Sequence, residues 1–315
     1  MKKKFRNYLR LLRPRQWIKN LAIFAAIVFN GELFTLSIVE SVLAGFVVFC
    51  ATSSAIYVIN DIFDIEKDRL HPFKRFRPLA NGDIPVSQAL IIAIVLGTAS
   101  IIASFFISPA FFFITIVYLI LQLSYSMLLK NIAVIDILAL AGGYILRVYA
   151  GEFLSGYHIS VWLLLTAISL SLFLAIGKRR SELTLVSQNS SAHIAAMRKS
   201  LSHYSERLLD VYASIFATST FISYALFTFL ENSRRFSITN DFFFPDFLPS
   251  YLQRKWLMVT IIPVVYGLMR YLQDIYEKHE GESPDKVLLS DKPLLLTVIT
   301  WIVMVIVIIY IIQSP

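Results

Sequence analysis

Long apolar runs alternate with shorter polar connections along almost the whole chain. A hydrocarbon core of about 30 Å needs about 20 helical residues at 1.5 Å each, and nine runs approach that length. They are Trp17 to Leu36, Val39 to Ile59, Val86 to Ile107, Pro109 to Leu129, Ile132 to Ala150, Ile159 to Ile176, Leu208 to Leu230, Trp256 to Tyr271, and Pro293 to Ile312. Asn30, Gly31 and Glu32 interrupt the first. The pattern predicts an all-α polytopic membrane protein with nine transmembrane helices.

The connections differ in kind. Residues 60 to 85, 177 to 207 and 272 to 292 are long and polar, whereas Ser108-Pro109 is a short turn. An odd number of spans puts the termini on opposite sides. With the N-terminus inside, the inner face carries 23 of the 29 Lys and Arg residues, so the positive-inside rule predicts a cytoplasmic N-terminus and an external Pro315. Asp241 to Pro245, in the outer connection 231 to 255, reads as an interfacial aromatic element. The basic start from Lys2 to Arg15 leads into a long span with no small-residue cleavage site, so no cleaved signal peptide is expected. Localisation in the inner membrane follows, with any chemistry at its cytoplasmic face.

Composition agrees with this reading. The 315 residues are 57% apolar and 16% charged, with a mean hydropathy of +0.67, against about 45–50% and about 25% in soluble domains. The single cysteine, Cys50, excludes an intrachain disulfide or a cysteine zinc site. The net charge of +8 sits on one membrane face, which points to anionic lipid or phosphate rather than nucleic acid. The five histidines, at 71, 158, 193, 203 and 279, have no metal-ligand spacing.

Chemistry concentrates just after the second span, in Asn60-Asp-Ile-Phe-Asp-Ile-Glu-Lys-Asp68. On one continuous helix, Asp61, Asp64 and Asp68 fall within an arc of about 80°. Three carboxylates on one face repel unless a cation neutralises them, and hard oxygens without His or Cys suit Mg²⁺. The alternative is a solvated helix end, offset by Lys67 and Arg69. The position directly beneath an apolar span favours a metal-diphosphate site with Asp61, Asp64 and Asp68 as ligands.

Cations follow closely. Lys74, Arg75 and Arg77 could hold phosphate oxygens, Arg in bidentate fashion and Lys as a point charge. Gly177-Lys-Arg-Arg-Ser-Glu182 puts Lys178 and Arg179 on the same helical face as Glu182, which reads either as a salt bridge or as part of a polar pocket. Lys19, Asn60, Tyr125 and Lys130 belong to the same membrane face. Asp136 could border the site, and Arg147, deeper in the fifth span, reads as structural.

The Asn-Asp-x-x-Asp-x-x-x-Asp motif after the second of nine spans resembles the signature of the UbiA superfamily of membrane prenyltransferases. In its aromatic prenyltransferases a second Asp-rich motif follows the sixth span, where this chain has Gly177 to Glu182 instead. That departure resembles the branch that transfers phosphoribosyl groups to decaprenyl phosphate. Similarity to it extends over Leu12-Arg-Pro-Arg-Gln-Trp-Ile-Lys-Asn20, His71 to Pro78, Ser124-Tyr125 to Lys130, Gly177-Lys-Arg180 with Glu182-Leu183, Arg198 to Leu201 with Tyr204, and Arg270-Tyr271 with Asp291.

The resemblance implies one UbiA-like transmembrane domain over residues 1–315, with a cytoplasm-facing polar cavity capped by the three polar loops. It implies Mg²⁺-dependent transfer from phosphoribosyl diphosphate to a polyprenyl phosphate, releasing diphosphate, and is compatible with a homo-oligomer. Asp61, Asp64, Asp68 and Lys178 would then be catalytic. Lys74, Arg75 and Arg77 would hold the donor phosphates, with Lys178, Arg179 and Glu182 closing the polar pocket, Lys19 and Lys130 at the acceptor phosphate, and Asn60 and Tyr125 orienting substrate oxygens. The competing expectations are an aromatic prenyltransferase using a polyprenyl diphosphate and a lipid-phosphate transporter.

Overall fold

A computed structural model describes residues 2–70, 74–187, 199–230, 256–277 and 284–312, all of whose regular elements are helical. Helix α1 (Lys2–Leu12) precedes a 3-10 helix (Pro14–Phe24) and the short α2 (Ala25–Phe29). Helices α3 (Leu36–Phe63), α4 (Ile65–Leu70), α5 (Val86–Ile107), α6 (Pro109–Met127), α7 (Ile135–Ser155) and α8 (Val161–Ser187) follow. The last third contains α9 (Glu206–Leu230), α10 (Ile261–Tyr276) after a 3-10 turn, α11 (Pro284–Ser290) and α12 (Lys292–Val307).

Among the described residues, eight helices are long and apolar enough to cross a membrane. They match the second to ninth expected spans. The first expected span is not one α-helix, because Pro14 opens an 11-residue 3-10 helix that becomes α-helical only at Ala25. A rise of about 2.0 Å per 3-10 residue and about 1.5 Å per α residue gives about 30 Å over Pro14–Phe29, a full bilayer core. Its two ends lie at opposite faces. Arg13 pairs with Asp61 at the end of α3, whereas Ile27 and Val28 carbonyls accept from the Tyr310 hydroxyl, 3.0 Å away at the far end of the last span.

Three residues per turn give this segment three distinct sides. Asn20, Ile23 and Ala26 are fully buried, Leu21 is exposed, and Gln16, Lys19 and Ala22 line internal cavities. The buried side lies hard against α7, where a Cβ on Gly151 would stand 1.9 Å from the Ile23 carbonyl oxygen. Small residues permit such backbone approach between membrane helices.

Helix α7 contributes to two apolar cores. One joins Ile23, Val42, Phe49, Phe111, Tyr118 and Leu154; the other joins Ile137, Phe173, Ile176, Leu209, Tyr271 and Ile275. Local signals fix several helix ends. Ser108 accepts from the Phe111 amide at 3.1 Å to cap α6, Asp291 accepts from the Leu294 amide at 2.8 Å to cap α12, and Gly156, at φ 72°, closes α7. The aromatic segment Asp241 to Pro245 lies outside the described residues, as do His71, His193 and His279.

Candidate functional site

At the face where α3, α6 and α8 end, the acidic and basic segments converge on one polar cavity of about 390 Å³. Asn60, Asp64, Lys67 and Asp68 reach it from α3 and α4, and Lys74 and Arg77 from the next loop. Tyr125 and Lys130 enter from the end of α6, Lys178 and Glu182 from α8, and Arg13, Gln16 and Lys19 from the 3-10 helix. Segments 61–68 and 178–182 thus meet around a shared hollow, although more than a hundred positions separate them in the chain.

The acidic motif departs from the single helical face expected of it. Helix α3 stops at Phe63, Asp64 takes φ −100° and ψ 6°, and α4 begins at Ile65. The break separates the acids. Asp64 accepts from Lys130 Nζ at 2.7 Å, whereas Asp61 and Asp68 flank Arg77, whose Nη1 is 3.0 Å from Asp61 Oδ1 and 2.6 Å from Asp68 Oδ2. Asp61 also pairs with Arg13 and sits just behind the cavity wall, 2% exposed. Among the described residues, no three of His, Cys, Asp and Glu are close enough to hold an ion by themselves.

A divalent ion nevertheless suits the acids that face the cavity. Magnesium is usually held by one or two carboxylates with substrate phosphates completing the shell, and Asp64 and Asp68 offer two hard oxygen donors. Burial pushes the Asp68 carboxyl up from its ordinary value, and the adjoining Arg77 opposes that rise.

Two expected substrate ligands lie elsewhere. Arg75 is exposed and stacks over the Phe76 ring, 4.8 Å from its centroid, outside the cavity lining. Arg179 is fully buried: Nε lies 2.6 Å from Asp136 Oδ2, Nη1 donates to Glu182 at 2.5 Å, and Nη2 donates to the Tyr125 hydroxyl at 2.8 Å. Its guanidinium therefore orients Glu182 and Tyr125, which do line the cavity.

Asp136, itself fully buried, extends this network. It accepts from the Tyr204 hydroxyl at 2.7 Å and from Ser200 at 3.2 Å, tying the segment after α8 to the start of α7. Burial and the bond to this carboxylate raise the Tyr204 phenol above its ordinary value. Sequence reasoning placed Asp136 near the site without this clamp. The sequence signalled only that an intramembrane carboxylate requires a partner, not that the partner is Arg179.

Arg13, Gln16, Lys67, Gln122, Ser126, Tyr144 and Arg147 also line the cavity, beyond the residues expected there. Next to it lies an apolar chamber of about 480 Å³, with walls that include Phe29, Leu163, Phe173, Val264, Leu268 and Trp301. Lys19, Tyr144 and Leu174 line both spaces.

These features define an integral membrane protein with a cation-rich polar cavity beside an apolar chamber. The chain belongs to the UbiA prenyltransferase family, which matches residues 21–289. It is 36% identical over 298 residues to decaprenyl-phosphate phosphoribosyltransferase of Mycolicibacterium smegmatis, covering 93% of this chain and 89% of that one. The enzyme of the same name from Corynebacterium glutamicum is 35% identical over 307 residues, covering 96% and 86%. A UbiA homolog from Archaeoglobus fulgidus, solved with DMAPP and Mg²⁺, shares the fold with a TM-score of 0.69 at 20% identity, over 97% of this chain and 99% of that one.

Proposed function

We propose that the protein transfers a 5-phosphoribosyl group from phosphoribosyl diphosphate to a polyprenyl phosphate and releases diphosphate. The observation that carries this reading is the cation-rich cavity beside an apolar chamber, in a chain about 35% identical over nearly its full length to decaprenyl-phosphate phosphoribosyltransferases. Both substrates carry phosphate, and one carries a long hydrocarbon tail. An aromatic acceptor would not call for so many cations.

The ribose C1 to diphosphate bond breaks as an oxygen of the lipid phosphate bonds to C1. Asp64 and Asp68, backed by Asp61, would hold Mg²⁺, which would neutralise diphosphate charge. Lys74, Arg77 and Lys178, with Lys130 drawn to Asp64 rather than to the acceptor expected of it, meet the negative charge that builds on the leaving group, in a walled site where fixed charges act strongly. Asn60 and Tyr125 orient substrate oxygens. The acceptor is already anionic, so no general base is assigned, and among the described residues no histidine lines the cavity.

The 23 basic residues gathered on one side orient the protein in the inner membrane with its N-terminus and cavity towards the cytoplasm and Pro315 outside. Residues 1–315 act as a single domain; residues 71–73, 188–198 and 278–283 of the expected loop cap lie outside the described residues. Membranes containing the protein, given radiolabelled phosphoribosyl diphosphate and polyprenyl phosphate, should yield a labelled lipid. The reading fails if label stays in the aqueous phase while polyprenyl diphosphate and an aromatic acid are consumed.

A further inference from the structure

Arg147 lies on α7, eleven positions after Asp136 and so about 16 Å deeper along the helix. It is 4% exposed and lines the polar cavity. Its Nε donates to Asn20 Oδ1 at 2.7 Å, Nη1 to the Gly143 carbonyl at 2.6 Å, and Nη2 to the Tyr118 hydroxyl at 2.6 Å. All three acceptors are uncharged. Arg13, Arg77 and Lys130 each pair with an acidic residue, but Arg147 has no carboxylate at ion-pair distance among the described residues.

A buried cation within the membrane is costly unless it is paired or functional. The three bonds fix the guanidinium and use three of its five N–H groups, so its charge remains uncompensated by any described carboxylate. Such a site is preorganised for an anion.

Position identifies which anion. The polar cavity and the apolar chamber meet at Lys19, Tyr144 and Leu174. Arg147 stands beside this shared wall, bonded to Asn20 next to Lys19 and 5.6 Å from the Tyr144 ring centroid. A lipid whose tail fills the chamber would bring its headgroup to this wall, whereas Arg77 and Lys130 are engaged by the aspartates. We infer that Arg147, with Lys19, receives the acceptor's phosphate at this junction and presents its oxygen towards the ribose held nearer the acids. The inference rests on the acceptor being a polyprenyl phosphate.

Steady-state kinetics of the purified protein, with radiolabelled phosphoribosyl diphosphate and a ten-unit polyprenyl phosphate, test it in R147M and N20D. A charged hydrogen bond lost to methionine should raise the KM for the lipid phosphate roughly tenfold to a hundredfold, leaving the KM for the donor within about twofold of wild type. N20D is nearly isosteric and sets a carboxylate against Nε, so it should produce the same lipid-selective rise even if R147M folds poorly. Binding of neutral polyprenol should be equal in all three proteins.

An unchanged KM for the lipid phosphate in N20D, or a rise confined to the donor, overturns the assignment. If wild-type protein makes no phosphoribosyl lipid, the proposed reaction is at fault. Equilibrium binding of polyprenyl phosphate alone still decides the role of Arg147, because equal affinity in wild type and N20D refutes it.

Discussion

Replacing Gly151 by alanine tests whether the 3-10 helix must lie directly on α7. The new Cβ would stand 1.9 Å from the Ile23 carbonyl oxygen, 2.8 Å from its carbon and 3.1 Å from Ile23 Cα. All three are backbone atoms, so no rotamer change relieves the clash, and reaching even 3.0 Å requires the two backbones to part by more than 1 Å. Overpacking of this kind costs about 1–3 kcal/mol. The larger effect should be on activity, because the 3-10 helix carries Arg13, Gln16 and Lys19 into the cavity, and misplacing reacting groups by about 1 Å can cost about 100-fold.

Gly97→Ala is the matched control, since its Cβ would meet only Ala55 Cβ at 3.9 Å. Thermal unfolding in detergent and phosphoribosyl transfer should both fall in G151A and stay near wild type in G97A. If G151A transfers at the wild-type rate and melts with the parent, the close packing has no part in shaping the site.

Three further outcomes follow from the charged groups. D64N should lower the transfer rate roughly 100-fold and also cost some thermal stability, because it removes a cavity-facing carboxylate and the partner of the buried Lys130; activity and melting of the purified protein measure this. Chelation by EDTA should abolish transfer and added Mg²⁺ should restore it, while melting stays nearly unchanged if the metal enters chiefly with substrate. R179M should strand the fully buried Asp136 at a cost of about 3–5 kcal/mol, and adding D136N should recover part of the lost thermal stability, read by melting in detergent.

The long helices were legible because bilayer thickness imposes a length and composition that need no tertiary information. Eight runs became continuous helices. The first did not, since apolar content cannot distinguish an α-helix from a 3-10 helix whose sides are set by packing against Gly151 and by polar contacts at Asn20. The same limit applies to the acidic motif. Its residue types marked the site, but the 80° arc assumed a helix that breaks at Asp64, where Lys130, from a distant loop, takes the carboxylate. Arg179 read as a substrate ligand because its spacing to Glu182 was visible, whereas Asp136, which helps to bury it, lies 43 positions away. Arg147 shows the converse: its depth was evident from the sequence, but the cavity that reaches it was not.

The stretch Pro14–Phe24 is also a ruler that tolerates no change in length. Deleting one residue before Lys19 would swing every later side chain by about 120°, turning Asn20 from the interior into the row that faces the hollow and putting Lys19 where Ile18 lines the apolar chamber. Substitutions along this ribbon can be absorbed one at a time, but a shift in its count reassigns all three sides at once.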